Sequence, residues 1–272
     1  MRDSVTIMVS KIHKRVNKNL KIKYFVFSVL SLFLNSCSYN LDVNDPVNLL
    51  WDKTGEKTDR LIIFLPGLYD TAEKFKEEAF FLSARKVGIK ADMVSANVNV
   101  LHLVEEMMIK RIEMDVFDHA INNGYKNIWL VGVSLGGLNS LLFYQKHAKN
   151  LCGVVTLAPF VANEPLTNEL QEAKNIKDWK PGSVENEGAF EQKLHFLWVW
   201  LQQATTKNKL NQIYLGYGKQ DRYVEAIKLL QDILDKKNIV AVEGKHNWVT
   251  GRKIWQKQLS TRATTGLLKP CH

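Results

Sequence analysis

The chain has 272 residues, enough for one large α/β domain or two small ones. With 46% hydrophobic and 24% charged residues it has an ordinary globular composition, which excludes a disordered or fibrous protein. Its net charge of +9 would suit a nucleic-acid partner, but residues 1–36, with seven Lys/Arg against Asp3, carry +6 of it, and a remainder at +3 argues against nucleic acid.

In chain order, the basic head runs into a short apolar stretch over 24–34. That stretch is too short to cross a hydrocarbon core as a helix, which takes about 17–25 residues. A positive segment followed by a short apolar one is the pattern of an export signal. The stretch ends in Leu34-Asn35-Ser36-Cys37. This resembles the lipobox of bacterial lipoproteins, with an aliphatic residue three before the cysteine and small residues between, although Asn35 is an unusual choice. The resemblance implies that residues 1–36 form a signal peptide and that Cys37 is lipidated as the first mature residue. It also implies export and anchoring to a membrane by the lipid, at the outer membrane or the periplasmic face. The basic segment is long, so Met8 is an alternative start. Residues 37–48 are polar and contain Pro46, as suits a tether, and the folded domain is expected over 49–272.

Leu49-Leu50-Trp51 is a brief apolar patch before a turn at Lys53-Thr54-Gly55-Glu56. The uninterrupted apolar run 61–65 predicts a strand buried on both faces, the mark of a central parallel strand. A helix is expected over 71–86, capped by Thr71, with Phe75, Ala79 and Leu82 on one face. A strand follows at 91–96. A second helix is expected over 103–122, with Met108, Ile112, Val116 and Ala120 at i+4 spacing, ended by Asn122-Asn123-Gly124. Beyond it, strands are expected at 127–133, 151–157, 212–217 and 238–242, with helices at 135–147 and 223–235. Alternation of this kind predicts an α/β fold with a mostly parallel sheet covered by helices on both faces.

Residues 161–208 break the rhythm and are too long for a plain connection, so they are expected to form a helical cap insert over the sheet edge. Their aromatic run 194–201 suits a cap helix filling a core; lining an acyl pocket or meeting a bilayer are alternatives, and a cap helix commonly roofs the pocket as well. Cys152 lies in an apolar run and is expected to be an inert core residue, with Cys271 exposed near the end. Spacing alone does not decide whether they pair, and it does not suit a metal.

The chemistry lies in Gly132-Val133-Ser134-Leu135-Gly136-Gly137. G-x-S-x-G is a weak pattern alone and a strong one between a strand and a helix, because the serine must stand on a sharp turn that only glycines leave room for. A serine hydroxyl needs a base, and the base needs an orienting acid. Gly218-Lys219-Gln220-Asp221-Arg222-Tyr223-Val224 follows a strand and offers Asp221, whose alternative role is a helix cap. Val242-Glu243-Gly244-Lys245-His246-Asn247-Trp248 follows the last strand and offers His246, with Gly244 allowing the chain to turn over the serine.

With these residues in place, the region 61–260 resembles the α/β-hydrolase superfamily, which orders its triad as serine, acid, histidine. The resemblance extends to Leu65-Pro66-Gly67-Leu68-Tyr69-Asp70, the loop that gives one oxyanion-hole amide in that family. It implies Ser134, Asp221 and His246 as the catalytic set and the amides of Leu68 and Leu135 as the oxyanion hole. Pro66-Gly67 replaces the common His-Gly, which leaves Tyr69 as the alternative to Leu68. The implied activity is a serine hydrolase that cleaves carboxylic esters or thioesters with an acyl chain through an acyl-enzyme, with a small-molecule or lipid substrate and no metal or organic cofactor required. The alternatives are a peptidase or amidase, and a non-catalytic binding module on the same fold.

Overall fold

The computed structural model describes residues 45–98, 107–207 and 209–271. The proposed signal peptide, Cys37 and the first part of the tether lie outside the described residues. The tether is shorter than expected: Val47 is buried in the core, and its amide donates to Asp115 Oδ2 at 2.9 Å.

The strands are β1 (Leu49–Asp52), β2 (Arg60–Leu65), β3 (Asp92–Ala96), β4 (Asn127–Val133), β5 (Gly153–Leu157), β6 (Ile213–Gly218) and β7 (Ile239–Val242). They form one sheet in the order β1-β3-β2-β4-β5-β6-β7. Only β1 is antiparallel, against β3; the other pairs are parallel.

Two cores form on the two faces because side chains alternate along each strand. Leu61, Ile63, Leu65, Leu130 and Leu215 face one core, and Ile62, Phe64, Val131 and Tyr214 the other. The first core is closed by a helical stretch made of α3 (Met108–Ile112), a wide turn at Glu113–Phe117 and α4 (Asp118–Asn122). With it pack α5 (Leu135–His147), α6 (Glu164–Glu172), α7 (Ala189–Thr206) and α8 (Val224–Asp232). The second core is closed by α1 (Lys74–Glu77), α2 (Phe80–Lys86) and α9 (Trp248–Thr265). Here Phe64, Phe75, Phe80 and Trp255 meet with ring centroids 5.1–6.5 Å apart, mostly edge to face.

Three local expectations change, and the insert takes the core-filling role that its aromatic run suits. The helix foreseen over 71–86 is broken at Ala79, whose φ of 57° is left-handed. The break turns α2 so that Phe80, Phe81 and Ala84 face inward, leaving Leu82 53% exposed, and Thr71 caps neither piece. Residues 103–106 of the helix foreseen over 103–122 lie outside the described residues; from Met108 the stretch is helical and widens at Glu113–Phe117, and Met108, Ile112, Val116 and Ala120 are buried as the spacing requires. Cys152 is buried but not inert: it is joined to Cys271 by a disulfide. The insert is helical and packs by α6 and α7 into the core shared with α5 and α8, and Leu194, Leu197, Trp198 and Leu201 are spent there.

The last residues pass along the amino ends of the strands. Arg60 Nη2 donates to the Leu268 carbonyl at 2.7 Å, Trp129 Nε1 to the Lys269 carbonyl at 2.9 Å, and the Cys271 amide to Asn127 Oδ1 at 2.7 Å.

Candidate active site

β4 ends at Val133 and α5 begins at Leu135, so Ser134 must reverse the chain in one residue. It does so at φ 54°, ψ −115°, a conformation disfavoured for a residue with a Cβ. The turn closes because its neighbours are glycines. A Cβ on Gly132 would lie 2.0 Å from the Gly136 carbonyl oxygen, and one on Gly136 would lie 2.0 Å from that of Leu65. The Ser134 amide donates to the Leu157 carbonyl at 2.9 Å, and its own carbonyl accepts from Gly137, Leu138 and Phe160, which holds the strained residue in place.

β6 and β7 deliver the other two side chains. Asp221 lies beyond β6 with its side chain fully buried; Oδ1 accepts the Tyr223 amide at 2.9 Å and Oδ2 accepts from His246 Nδ1 at 2.8 Å. The carboxylate therefore braces its own loop and also holds the imidazole. His246 Nε2 lies 2.9 Å from Ser134 Oγ. With the proton on Nδ1, facing the carboxylate, the Nε2 lone pair is turned toward the serine hydroxyl. The histidine loop bends at Gly244, with φ at 150°, where a Cβ would collide with Thr250 Oγ1. Gln220 laces the two loops together: its amide donates to the Gly244 carbonyl at 3.0 Å, and its Oε1 accepts the Gly244 amide at 2.6 Å.

Ser134 opens into a cavity of about 240 Å³ lined by Gly67, Leu68, Tyr69, Asp70, His246 and Trp248, with Leu157, Ala158 and Arg222 among the others. The Leu135 amide is the first of α5 and has no carbonyl one turn back to bond. Across from it, Gly67 to Asp70 form a turn closed by the Asp70 amide on the Gly67 carbonyl at 3.2 Å, with Tyr69 at φ 64°. That turn exposes Leu68 and Tyr69 at the cavity. Of the residues singled out from the sequence, Ser134, His246, Leu68 and Tyr69 line this space, whereas Asp221 is buried behind His246 and Leu135 sits in the first turn of α5. No residue of 161–207 lines the cavity; from the insert, the Phe190 ring stacks on Phe160 at 6.0 Å.

Two contributors were missed. Trp248 Nε1 donates to Asp70 Oδ1 at 3.1 Å and so ties the loop at 67–70 to the start of α9, just beyond His246. Burial raises the Asp70 carboxyl pKa, and the indole hydrogen bond, Lys74 and His246 only partly offset this. Tyr223 packs edge-on against the His246 ring at 5.1 Å. Both stand inside the quoted motifs, two residues from Asp221 and His246, but only the folded loops show which side chains turn inward.

No protein-family model matches the chain, and no curated protein matches it in sequence. Solved structures do match. The S-formylglutathione hydrolase FrmB of Staphylococcus aureus aligns with a TM-score of 0.55 at 15% identity, over 79% of this chain and 89% of that one. The fluorophosphonate-binding serine hydrolase FphF of Staphylococcus aureus gives 0.56 at 14%, over 79% and 98%. A ferulic acid esterase gives 0.53 at 13%, over 80% and 98%. At these identities the likeness is one of architecture, and with the mostly parallel seven-stranded sheet and its helices it gives the chain the α/β-hydrolase fold.

Proposed function

We propose that this protein is a serine ester hydrolase working through an acyl-enzyme. The observation that carries the reading is the continuous relay from Asp221 Oδ2 through His246 to Ser134 Oγ, at 2.8 and 2.9 Å, opening on a cavity. Ser134 attacks the ester carbonyl as His246 takes its proton; His246 then returns the proton to the departing alcohol, and water repeats the cycle on the acyl-enzyme. Asp221 keeps the imidazole in the tautomer that accepts at Nε2. The developing oxyanion is held by the amides of Leu68 and Leu135, aided by the amino end of α5. The solved structures of like fold named as an esterase and as hydrolases support esters or thioesters as the substrate class.

We further propose export and lipid anchoring through Cys37. The support is chemical: the chain has three cysteines, two of them form a disulfide, and disulfides persist in oxidising compartments. The third stands in the lipobox. Among the described residues no helix is long and apolar enough to cross a membrane.

One experiment tests both. Fractionated cells expressing the full chain are treated with a fluorescent fluorophosphonate. A band should label in the membrane fraction, vanish in Ser134→Ala at equal protein level, and move to the soluble fraction in Cys37→Ser. Labelling that survives Ser134→Ala would place the nucleophile elsewhere, and membrane association that survives Cys37→Ser would overturn the anchor.

A further inference from the structure

We propose that Arg222 is an anion-recognition residue, and that the preferred substrates are esters whose alcohol part carries a carboxylate or phosphate. The proposal deepens the ester-hydrolase reading and rests on it.

Arg222 lines the cavity that holds Ser134 and His246, yet it is exposed, and its guanidinium meets no carboxylate or other acceptor among the described residues. An arginine with no role beyond solubility would wander in solvent. This one is placed: the guanidinium carbon lies 4.9 Å from the centre of the Tyr223 ring. The Tyr223 ring is itself fixed, edge-on against Phe160 at 4.9 Å and against His246 at 5.1 Å, while the Tyr223 amide is held by Asp221. Phe190 backs Phe160 from the insert. The spacings of 4.9 and 5.1 Å, end to end, put the cation within about 10 Å of the imidazole.

The side on which it lies decides which part of the substrate it reads. His246 gives its proton to the leaving alcohol, so what stands beside the imidazole faces the alcohol part. The loop at 67–70 carries the opposite charge, Asp70, tied to Trp248. An anionic group is repelled from that wall and drawn to the Arg222 wall, which orients the ester as well as binding it. Five donors in a planar fork suit a carboxylate or a phosphate, with two parallel hydrogen bonds available.

The test uses the purified full-length protein with matched ester pairs. Phenyl acetate against 3-carboxyphenyl acetate puts the anion on the alcohol; 4-nitrophenyl butyrate against 4-nitrophenyl hemisuccinate puts it on the acyl group. For the wild type, kcat/KM should favour 3-carboxyphenyl acetate over phenyl acetate about tenfold, with the difference in KM and weakening as salt rises. In Arg222→Met the ratio should fall to about one, and in Arg222→Glu below one, with Tm and fluorophosphonate labelling showing that the protein is folded. An equal ratio in wild type and Arg222→Met, or a preference confined to the hemisuccinate pair, would overturn the proposal. Failure to hydrolyse any ester or to label Ser134 would instead overturn the ester-hydrolase reading, and this proposal with it.

Discussion

The two ends of the sheet are built on opposite principles. At the carboxyl ends of β2, β4, β6 and β7, short loops carry Ser134, Asp221 and His246 in conformations that only their neighbours sustain: a left-handed serine, a left-handed Tyr69 and a bend at Gly244. At the amino ends, the closing tail is fastened to the strand starts by Arg60, Trp129, Asn127 and the disulfide between Cys152 and Cys271. One end holds a few side chains in a reactive geometry and the other holds the chain together. Damage at the two ends should therefore be separable, activity failing at one and stability at the other.

The largest effects are expected at the carboxyl end. His246→Ala removes the base and should lower turnover about as far as Ser134→Ala, on the order of 10⁶-fold, since the members of such a relay act as a unit. Asp221→Asn favours the wrong imidazole tautomer and should cost about 10⁴-fold, as it does in the protease case. Asp221 also holds the Tyr223 amide, and Asn keeps an oxygen for that bond, so Asp221→Asn, like His246→Ala, should leave Tm nearly unchanged, whereas Asp221→Ala should cost about 1 kcal/mol of stability. Turnover and Tm of both variants on one ester check this. Retention of most activity in Asp221→Asn would reduce Asp221 to a loop brace.

An intermediate effect, in stability alone, is expected at the amino end. The disulfide spans 119 residues of sequence. Cys271→Ser should lower unfolding stability by about 2–5 kcal/mol, and dithiothreitol should shift the wild type in the same direction. The kcat/KM of the folded fraction should stay within about twofold, because no catalytic contact passes through the tail. Denaturant titration beside ester kinetics decides it; a kcat/KM that fell with stability would show that the ends are coupled.

The smallest effect sharpens the comparison at one carboxyl group. Burial raises the Asp70 pKa above its usual 3.8, so the folded state favours the protonated form. Its contribution is whole below pH 3.8 and is lost as pH rises through the folded-state titration. Asp70→Asn keeps an oxygen for the Trp248 indole and carries no charge. It should therefore raise Tm modestly near pH 7, with the gain shrinking toward zero near pH 3. A gain that persisted in acid would mean that the carboxylate charge is not its cause.

For a local reason, the sequence alone determined most of the frame and pointed to Ser134, Asp221 and His246, which the fold brings together. The strands read as apolar runs because both of their faces are buried, and β4 and α5 lie where the pattern puts them. Ser134 was legible because a strained turn requires glycines at fixed spacing, and Asp221 and His246 because each follows directly on a strand. The tertiary structure decided whatever depends on residues distant in sequence. The pairing of Cys152 with Cys271 arises because the tail passes the start of β5. The break at Ala79 is set by the aromatic packing of Phe75 and Phe80 against Trp248, more than 160 residues away. The apolar stripe of α7 could have roofed the cavity by its composition, and packing with α5 turned it into core instead. Asp70 and Arg222 at the cavity, and Tyr223 against the His246 ring, have no local signature, because a side chain's aim is a property of several loops meeting and of none of them separately.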